Sequence, residues 1–227
     1  MADLLHGIYV AAQGIGTTLT VTAGALIMGL VLGLVMALGK MSKHRILKWP
    51  AAVYVEALRG TPLFVQILIL AYGAPMLVNQ VSGGAARFNW EPMILAGLIA
   101  CGINSSAYMA EIIRSGLQAI DYGQTEAARS LGMTQGQNMR YIVIPQAFRV
   151  ILPAMGNEFV TLIKETSILS FIGIVEITRQ GILWASRDFK AFPAYLGVAV
   201  VYLCLTIPLS RLVAYAERRM AASDRSA

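Results

Sequence analysis

Residues 14–39 read GIGTTLTVTAGALIMGLVLGLVMALG, a run without one charged side chain. Crossing the hydrocarbon core of a bilayer takes roughly 20 predominantly apolar residues in a helix, so this stretch is long enough to span. Within it Ala25, Gly29, Gly33 and Ala37 recur at every fourth position. Small residues at that spacing put a shallow stripe on one helix face and let a second backbone approach closely. The expected partner is another helix of the same subunit rather than a second copy.

Four more apolar runs follow, at about 53–78, 92–113, 152–177 and 193–215. The first, third and fifth runs are clear, whereas the second and fourth are less clean because charged residues fall inside them. Composition places the whole chain in the same class. Of its 227 residues 57% are hydrophobic and only 13% charged, with a mean hydropathy of +0.64. An average soluble domain is roughly 25% charged. A soluble fold of this size has too little interior to hide that much apolar surface, so lipid must cover part of it. The expectation is an all-α integral membrane protein with five transmembrane helices. Residues 1–219 form a single transmembrane domain, and 220–227 a short disordered tail.

The net charge is +6, but the basic residues do not form a nucleic-acid face. They sit in short connections between apolar runs: Lys40, Lys43, Arg45 and Lys48 after the first, Arg114, Arg129, Arg140 and Arg149 between the third and fourth, Arg218, Arg219 and Arg225 in the tail. The connection near Arg87 carries one, and Arg179, Arg187 and Lys190 make the last connection a weak exception. Basic loops remain in the cytoplasm, which puts the amino terminus outside and the carboxyl terminus inside. Trp49, Trp90 and Trp184 fall near the ends of the runs, where interfacial tryptophans sit. Cys101 and Cys204 lie within apolar runs and read as small core residues. The first run is too long for a signal h-region and has no convincing cleavage site.

The connection at about 114–152 is too long for a plain link. Residues 125–131, Thr-Glu-Ala-Ala-Arg-Ser-Leu, favour helix. Gly132 ends that helix through its access to left-handed geometry. A second helical piece starts at about Thr134, a good cap, and Pro145 and Pro153 mark the return into the membrane. Two short helices and a sharp turn make a rigid knob suited to a groove on a soluble partner. An amphipathic hairpin lying on lipid is the alternative.

This segment resembles the signature of binding-protein-dependent ABC importer permeases: Glu126, Ala127, Ala128, then Gly132, then Ile142, Val143, Ile144, Pro145, with Ile144 where the family has Leu. Residues 56–63 with Gln66, 107–116, 144–149 and 164–169 are similar to the polar amino acid branch, which serves histidine, glutamine, glutamate and arginine uptake. Glu165 stands where that branch more often has Asp. The likeness runs from about Ala12 to Arg218. It implies an alternating-access import permease of the bacterial cytoplasmic (inner) membrane. The segment around Glu126 and Gly132 would be a coupling helix seated in an ATPase subunit. It also implies as partners two ATP-binding subunits, a second permease subunit, identical or related, and a periplasmic or lipid-anchored substrate-binding protein. ATP and Mg would belong to the ATPase, with no cofactor or metal on this chain. The phosphate-binding glycine loop of an ATPase is missing from the sequence, which agrees with that division of labour.

Charges inside the apolar runs mark the candidate pathway, because a charge at mid-membrane costs roughly 2.5–3.5 kcal/mol on insertion scales. Lys164 and Glu165 are adjacent and so cannot share a helix face. Either the helix breaks there, as helices do beside substrate sites, or each has a partner elsewhere. With Thr166 they offer both signs of charge to a zwitterion. Asn104, Tyr108 and Glu111 share one face of the third run and should point at a subunit interface, a pathway or a hydrogen-bonding helix rather than lipid. Glu56 and Arg59, three apart, are expected to pair, and Pro62 behind them permits a bend, a gate or simply a helix end. An ion-coupled transporter relaying through Glu111, Lys164 and Glu165 leaves the 126–145 spacing unexplained. A membrane enzyme lacks any nucleophile or metal constellation.

Overall fold

The computed structural model describes residues 1–83, 85 and 87–224. Helices α1 (Ala2–Ala12) and α2 (Ile15–Met41) follow almost without interruption. Next come α3 (Arg45–Arg59), α4 (Leu63–Leu68) and α5 (Ala74–Val81), the last two joined by a widened π turn at Ile69–Gly73. Helix α6 (Ile94–Gln118) is followed by α7 (Tyr122–Ser130) and the single turn α8 (Gln135–Asn138). A second π turn, Met139–Val143, leads into α9 (Ile144–Glu165) and a 3-10 segment, Thr166–Ile172. Helices α10 (Ile177–Asp188) and α11 (Ala191–Asp224) complete the chain.

The centre of the fold is the α2–α6 pair, and the small-residue stripe makes it. Ala25 and Ala37 are fully buried. A Cβ on Gly33 would stand 2.6 Å from the Met109 Cβ and 2.9 Å from the Ser106 carbonyl oxygen, and one on Gly29 would stand 2.9 Å from the Ser105 hydroxyl. The stripe thus receives α6 of the same chain, as the sequence leads one to expect. The first and last helices also pack by backbone: a Cβ on Gly197 of α11 would meet the Gly7 carbonyl carbon at 2.5 Å. Lys190 closes the same contact with a 2.6 Å ion pair to Asp3.

Among the described residues, four helical stretches are long and apolar enough to cross a membrane: Ala2–Met41, Leu63–Val81, Ile94–Gln118 and Ala191–Met220. The chain is a multi-pass membrane protein. Two of the expected runs need correction. The 53–78 run is not one helix, because Pro62 has no amide hydrogen and Gly60–Pro62 separates α3 from α4. The 152–177 run is not one either: α9 carries Glu158, Lys164 and Glu165, stops at Glu165, and passes into the 3-10 segment that Gly173 ends at φ 85°. The 179–190 stretch, read as a connection, is largely the helix α10, whose first turn is capped by Glu176. Trp184 is buried, donating to Asp188 at 2.7 Å. Cys204 is exposed rather than in a core. Helix α11 runs on to Asp224, past the Met220 boundary of the expected tail, and 225–227 lie outside the described residues.

Candidate functional site: a braced helix break, a charge cluster and a projecting helix

The break between α3 and α4 exposes carbonyls that a continuous helix would satisfy. Gln66 repairs it. Its amide nitrogen donates to the Leu58 carbonyl at 2.8 Å and lies 3.1 Å from the Thr61 carbonyl and 2.8 Å from the Thr61 hydroxyl. The Thr61 hydroxyl in turn donates to the Ala57 carbonyl at 2.8 Å. The other end of Gln66 accepts from the Asn104 amide of α6 at 2.9 Å, and Asn104 is only 3% exposed. One side chain therefore staples the bend at Pro62 to the central helix.

The rest of the Asn104 face meets the same element. Arg59 lies over the Tyr108 ring, 5.5 Å from its centroid. Glu111 is the hub of a charge cluster joining three helices. It accepts from the Arg114 guanidinium at 2.8 Å, from Lys40 of α2 at 3.5 Å, and stands 4.0 Å from Arg59. Lys40 also donates to Glu56 at 3.2 Å. Glu56 and Arg59 therefore do not pair as expected: each is drawn off its own helix, Glu56 toward α2 and Arg59 toward α6. Lys40, Glu56, Glu111 and Arg114 line a cavity of about 520 Å³ at this end of the bundle.

Lys164, Glu165 and Thr166 sit at the end of α9. Lys164 is exposed, Glu165 half-buried and Thr166 fully buried, its hydroxyl donating to the Ile163 carbonyl at 2.7 Å. Among the described residues, the Lys164 and Glu165 side chains make no hydrogen bond or ion pair, and neither is joined to the Asn104–Glu111 face. Of the two possibilities open in the sequence, the chain takes the broken helix. The link from α6 to α9 is made by Ser105, whose hydroxyl donates to Glu158 at 3.0 Å. A second buried carboxylate, Glu176, accepts from the backbone amides of Thr178 at 2.8 Å and Arg179 at 2.7 Å and from the Tyr202 hydroxyl at 2.9 Å, tying α10 to α11.

Between α6 and α9 the chain projects α7. Asp121 caps it, accepting from the Gly123 amide at 2.7 Å. At its other end Gly132 adopts φ 80°, and the Met133 amide reaches back to the Ala128 carbonyl at 3.1 Å, closing the helix with a left-handed glycine. Thr134 and Gln137 form a reciprocal capping box on α8. Asn138, 4% exposed, donates to Thr125 at 3.2 Å and pins the two pieces together. Ala128 is buried beneath α7, Glu126 and Ala127 are exposed along it, Ile142 is half-buried in the second π turn, and Pro145 opens α9 where no amide is needed.

The model of the binding-protein-dependent transport system inner membrane component matches residues 29–222. The chain belongs to that family. The permease is 38% identical over 214 residues to a probable amino-acid permease of Bacillus subtilis, YxeN, covering 94% of this chain and 92% of that one. It is 35% identical to the arginine transport system permease ArtQ of the same organism, with 93% of each covered. It is also 35% identical to the glutamine transport system permease GlnP of Escherichia coli K12, with 92% and 91% covered. Among solved structures, that of an amino acid ABC transporter with histidines superposes at a TM-score of 0.84 and 44% identity, covering 92% of this permease and 94% of that chain. An inward-facing MetNI methionine transporter superposes at 0.63 and 17% identity, covering 98% and 96%, which speaks to the fold alone.

Sequence reasoning missed Lys40, Glu158, Glu176 and the bracing role of Gln66. Lys40 was legible only as one of several loop cations. Gln66, four residues past Pro62, is the one with a signal: a long amide within a turn of a break is placed to satisfy the freed carbonyls.

Proposed function

We propose that this chain is the transmembrane permease subunit of an ATP-driven importer of polar amino acids that takes substrate from a separate binding protein and works by alternating access. The observation that carries the reading is α7, a short helix capped at both ends, pinned by Asn138 and left exposed between α6 and α9. Such a piece transmits force without bending. The arginine and glutamine systems among its relatives support the amino acid assignment. In this reading the α7 end faces the cytoplasm and the amino terminus the outside, with α9 and its 3-10 extension as a fifth, broken crossing. Helix α7 seats in a groove of an ATP-binding subunit, with Glu126 and Ala127 at the contact and Gly132 fixing the turn. Two such subunits supply ATP and Mg, a second permease completes the pathway, and a periplasmic or lipid-anchored protein delivers substrate in the inner membrane.

Lys164, Glu165 and Thr166, with Asn104 and Tyr108, are the candidate pathway residues. The Lys40–Glu56–Arg59–Glu111 cluster is the inner latch, and the Pro62 bend its hinge. The test is affinity capture of the tagged chain, gently solubilised from its native membrane, followed by mass spectrometry. Stoichiometric recovery of an ATPase from the wild type, and its loss from Gly132→Glu, is the expected result. Recovery of the chain alone, indifferent to Gly132, would sink the coupling argument and favour ion-driven transport. A second permease in the capture would decide between identical and related partners.

A further inference from the structure

The turn between α2 and α3 carries two depressions that meet at Ser42, both with mainly apolar walls. One, of about 1110 Å³, has Ser42, Lys43, Arg45, Lys48 and Trp49 on its wall, with Glu56 at its far side. The other, of about 770 Å³, is lined by Val35, Leu38, Met41, Ile46, Leu47 and their neighbours, and shares Ser42 with the first. The first has a basic rim. Among the described residues Lys43, Arg45 and Lys48 make no ion pair, whereas Glu56 is already engaged by Lys40 at 3.2 Å. The second is an apolar groove between the last turns of α2, a helix apolar enough to cross the membrane, and the first turns of α3. Its walls are open: Leu38 is 58% exposed and Ile46 86%. Trp49, 69% exposed, stands on the wall of the first, beside the basic rim.

We infer that this turn binds one anionic phospholipid, its phosphate held by Lys43, Arg45 and Lys48 and an acyl chain laid in the α2–α3 groove. Charge complementarity argues for the headgroup: three uncompensated cations within six residues attract a phosphodiester, and the arginine fork fits its oxygens in pairs. Continuity with the end of a membrane-spanning helix argues for the chain, because a groove open to hydrocarbon at that depth is filled by acyl carbons rather than water. Trp49 stands where an indole prefers to be, with its ring at the headgroup level. The feature adjoins the charge cluster, since Lys40 lies in the last turn of α2 and its partner Glu56 lines the first depression. The inference needs only the membrane placement of α2 and does not depend on the substrate or the ATPase.

The test uses the full transporter, purified with whatever chains accompany it and reconstituted in nanodiscs of phosphatidylcholine with graded phosphatidylglycerol. Lipid retained after detergent washing is counted by native mass spectrometry. The wild type should keep phosphatidylglycerol over phosphatidylcholine. Each neutralisation in Lys43→Gln, Arg45→Gln and Lys48→Gln should weaken retention about fivefold, while Arg218→Gln leaves it unchanged. Ile46→Glu, at an exposed position where folding is indifferent, should also expel the lipid by placing a carboxylate at the groove. Equal retention of both lipids, or full retention by the triple variant, overturns the inference. So does displacement of the lipid by inorganic phosphate alone, which would reduce the site to an anion patch. Loss of an accompanying chain from the triple variant, with phosphatidylglycerol still bound, would mark the turn as a protein interface and equally overturn it. The capture experiment on Gly132 is unaffected by any of these results, so the two readings fail separately.

Discussion

Replacing Gln66 with leucine keeps the volume of the side chain and removes every bond that Gln66 makes across the break. The Leu58 carbonyl and the Thr61 pair lose their donor, and the Asn104 amide, buried at 3% exposure, loses its acceptor. A net hydrogen bond contributes about 0.5–1.5 kcal/mol, and a buried group left unpaired costs about 1–3 kcal/mol. Measured side-chain bonds between membrane helices average nearer 0.6 kcal/mol. Taking the lower figures for the exposed end and the higher for Asn104, Gln66→Leu should cost about 2–3 kcal/mol. The assay is equilibrium unfolding in mixed micelles, run as a cycle with Asn104→Leu. Because both residues share one bond, the double variant should be less damaged than the sum of the singles by about 0.6–1.7 kcal/mol. If the two effects add to within about 0.5 kcal/mol, the bond between α4 and α6 does nothing and the stapled-break argument is wrong.

Glu111→Gln leaves Lys40, Arg59 and Arg114 facing one another without their shared carboxylate; transport should fall at least tenfold while the midpoint of unfolding becomes strongly salt-dependent, which proteoliposome uptake and melting at two ionic strengths will read. Gly33→Leu drives a side chain into Met109 and the Ser106 carbonyl and should cost about 1–3 kcal/mol as overpacking, visible as lost detergent-stable protein on size exclusion; survival at wild-type yield would contradict the α2–α6 contact. Glu176→Ala strips the cap from α10 and the acceptor from Tyr202, for about 2–4 kcal/mol in all, whereas Tyr202→Phe should cost about 1 kcal/mol; equal effects in unfolding titrations would show that the cap, rather than the α10–α11 tie, is idle. Gly132→Val holds a β-branched residue at φ 80°, a strain of about 1–2 kcal/mol with no steric clash within 4 Å, so ATPase capture should weaken while stability falls by no more than that strain.

The parts of the fold legible in the sequence were those decided by local chemistry. A 26-residue apolar stretch at 14–39 leaves no choice but a membrane helix, Gly132 announces its own left-handed turn, and Thr134 its cap. Pro62 made a break predictable, though not what would mend it. The missed parts depend on partners distant in the chain. Glu56 and Arg59 have the spacing of a helical pair, but Lys40 and Glu111 offered better contacts from other helices. The stop at Glu165 has no proline or glycine beside it; it coincides with the buried Thr166, whose hydroxyl donates to the Ile163 carbonyl. Helix α1 is too short to register as a span, and α10 hid behind its charges and an unusual glutamate cap. The Gln66–Asn104 bond became visible only once α4 and α6 were side by side.

The contact of Gly7 with Gly197 has a consequence for how the protein is made. A ribosome adding roughly 5–20 residues per second releases α1 about ten to forty seconds before the stretch of α11 that receives it. Through that interval the glycine face of α1 is bare in the bilayer, and whatever shields it, lipid or the insertion machinery, must let go when α11 arrives. Closure of α1 against α11 therefore has to wait for most of the intervening chain to be made. A chain stalled late in α11 would be threaded through the membrane yet recognisably unfinished, an open form that quality-control proteases could tell from the sealed one.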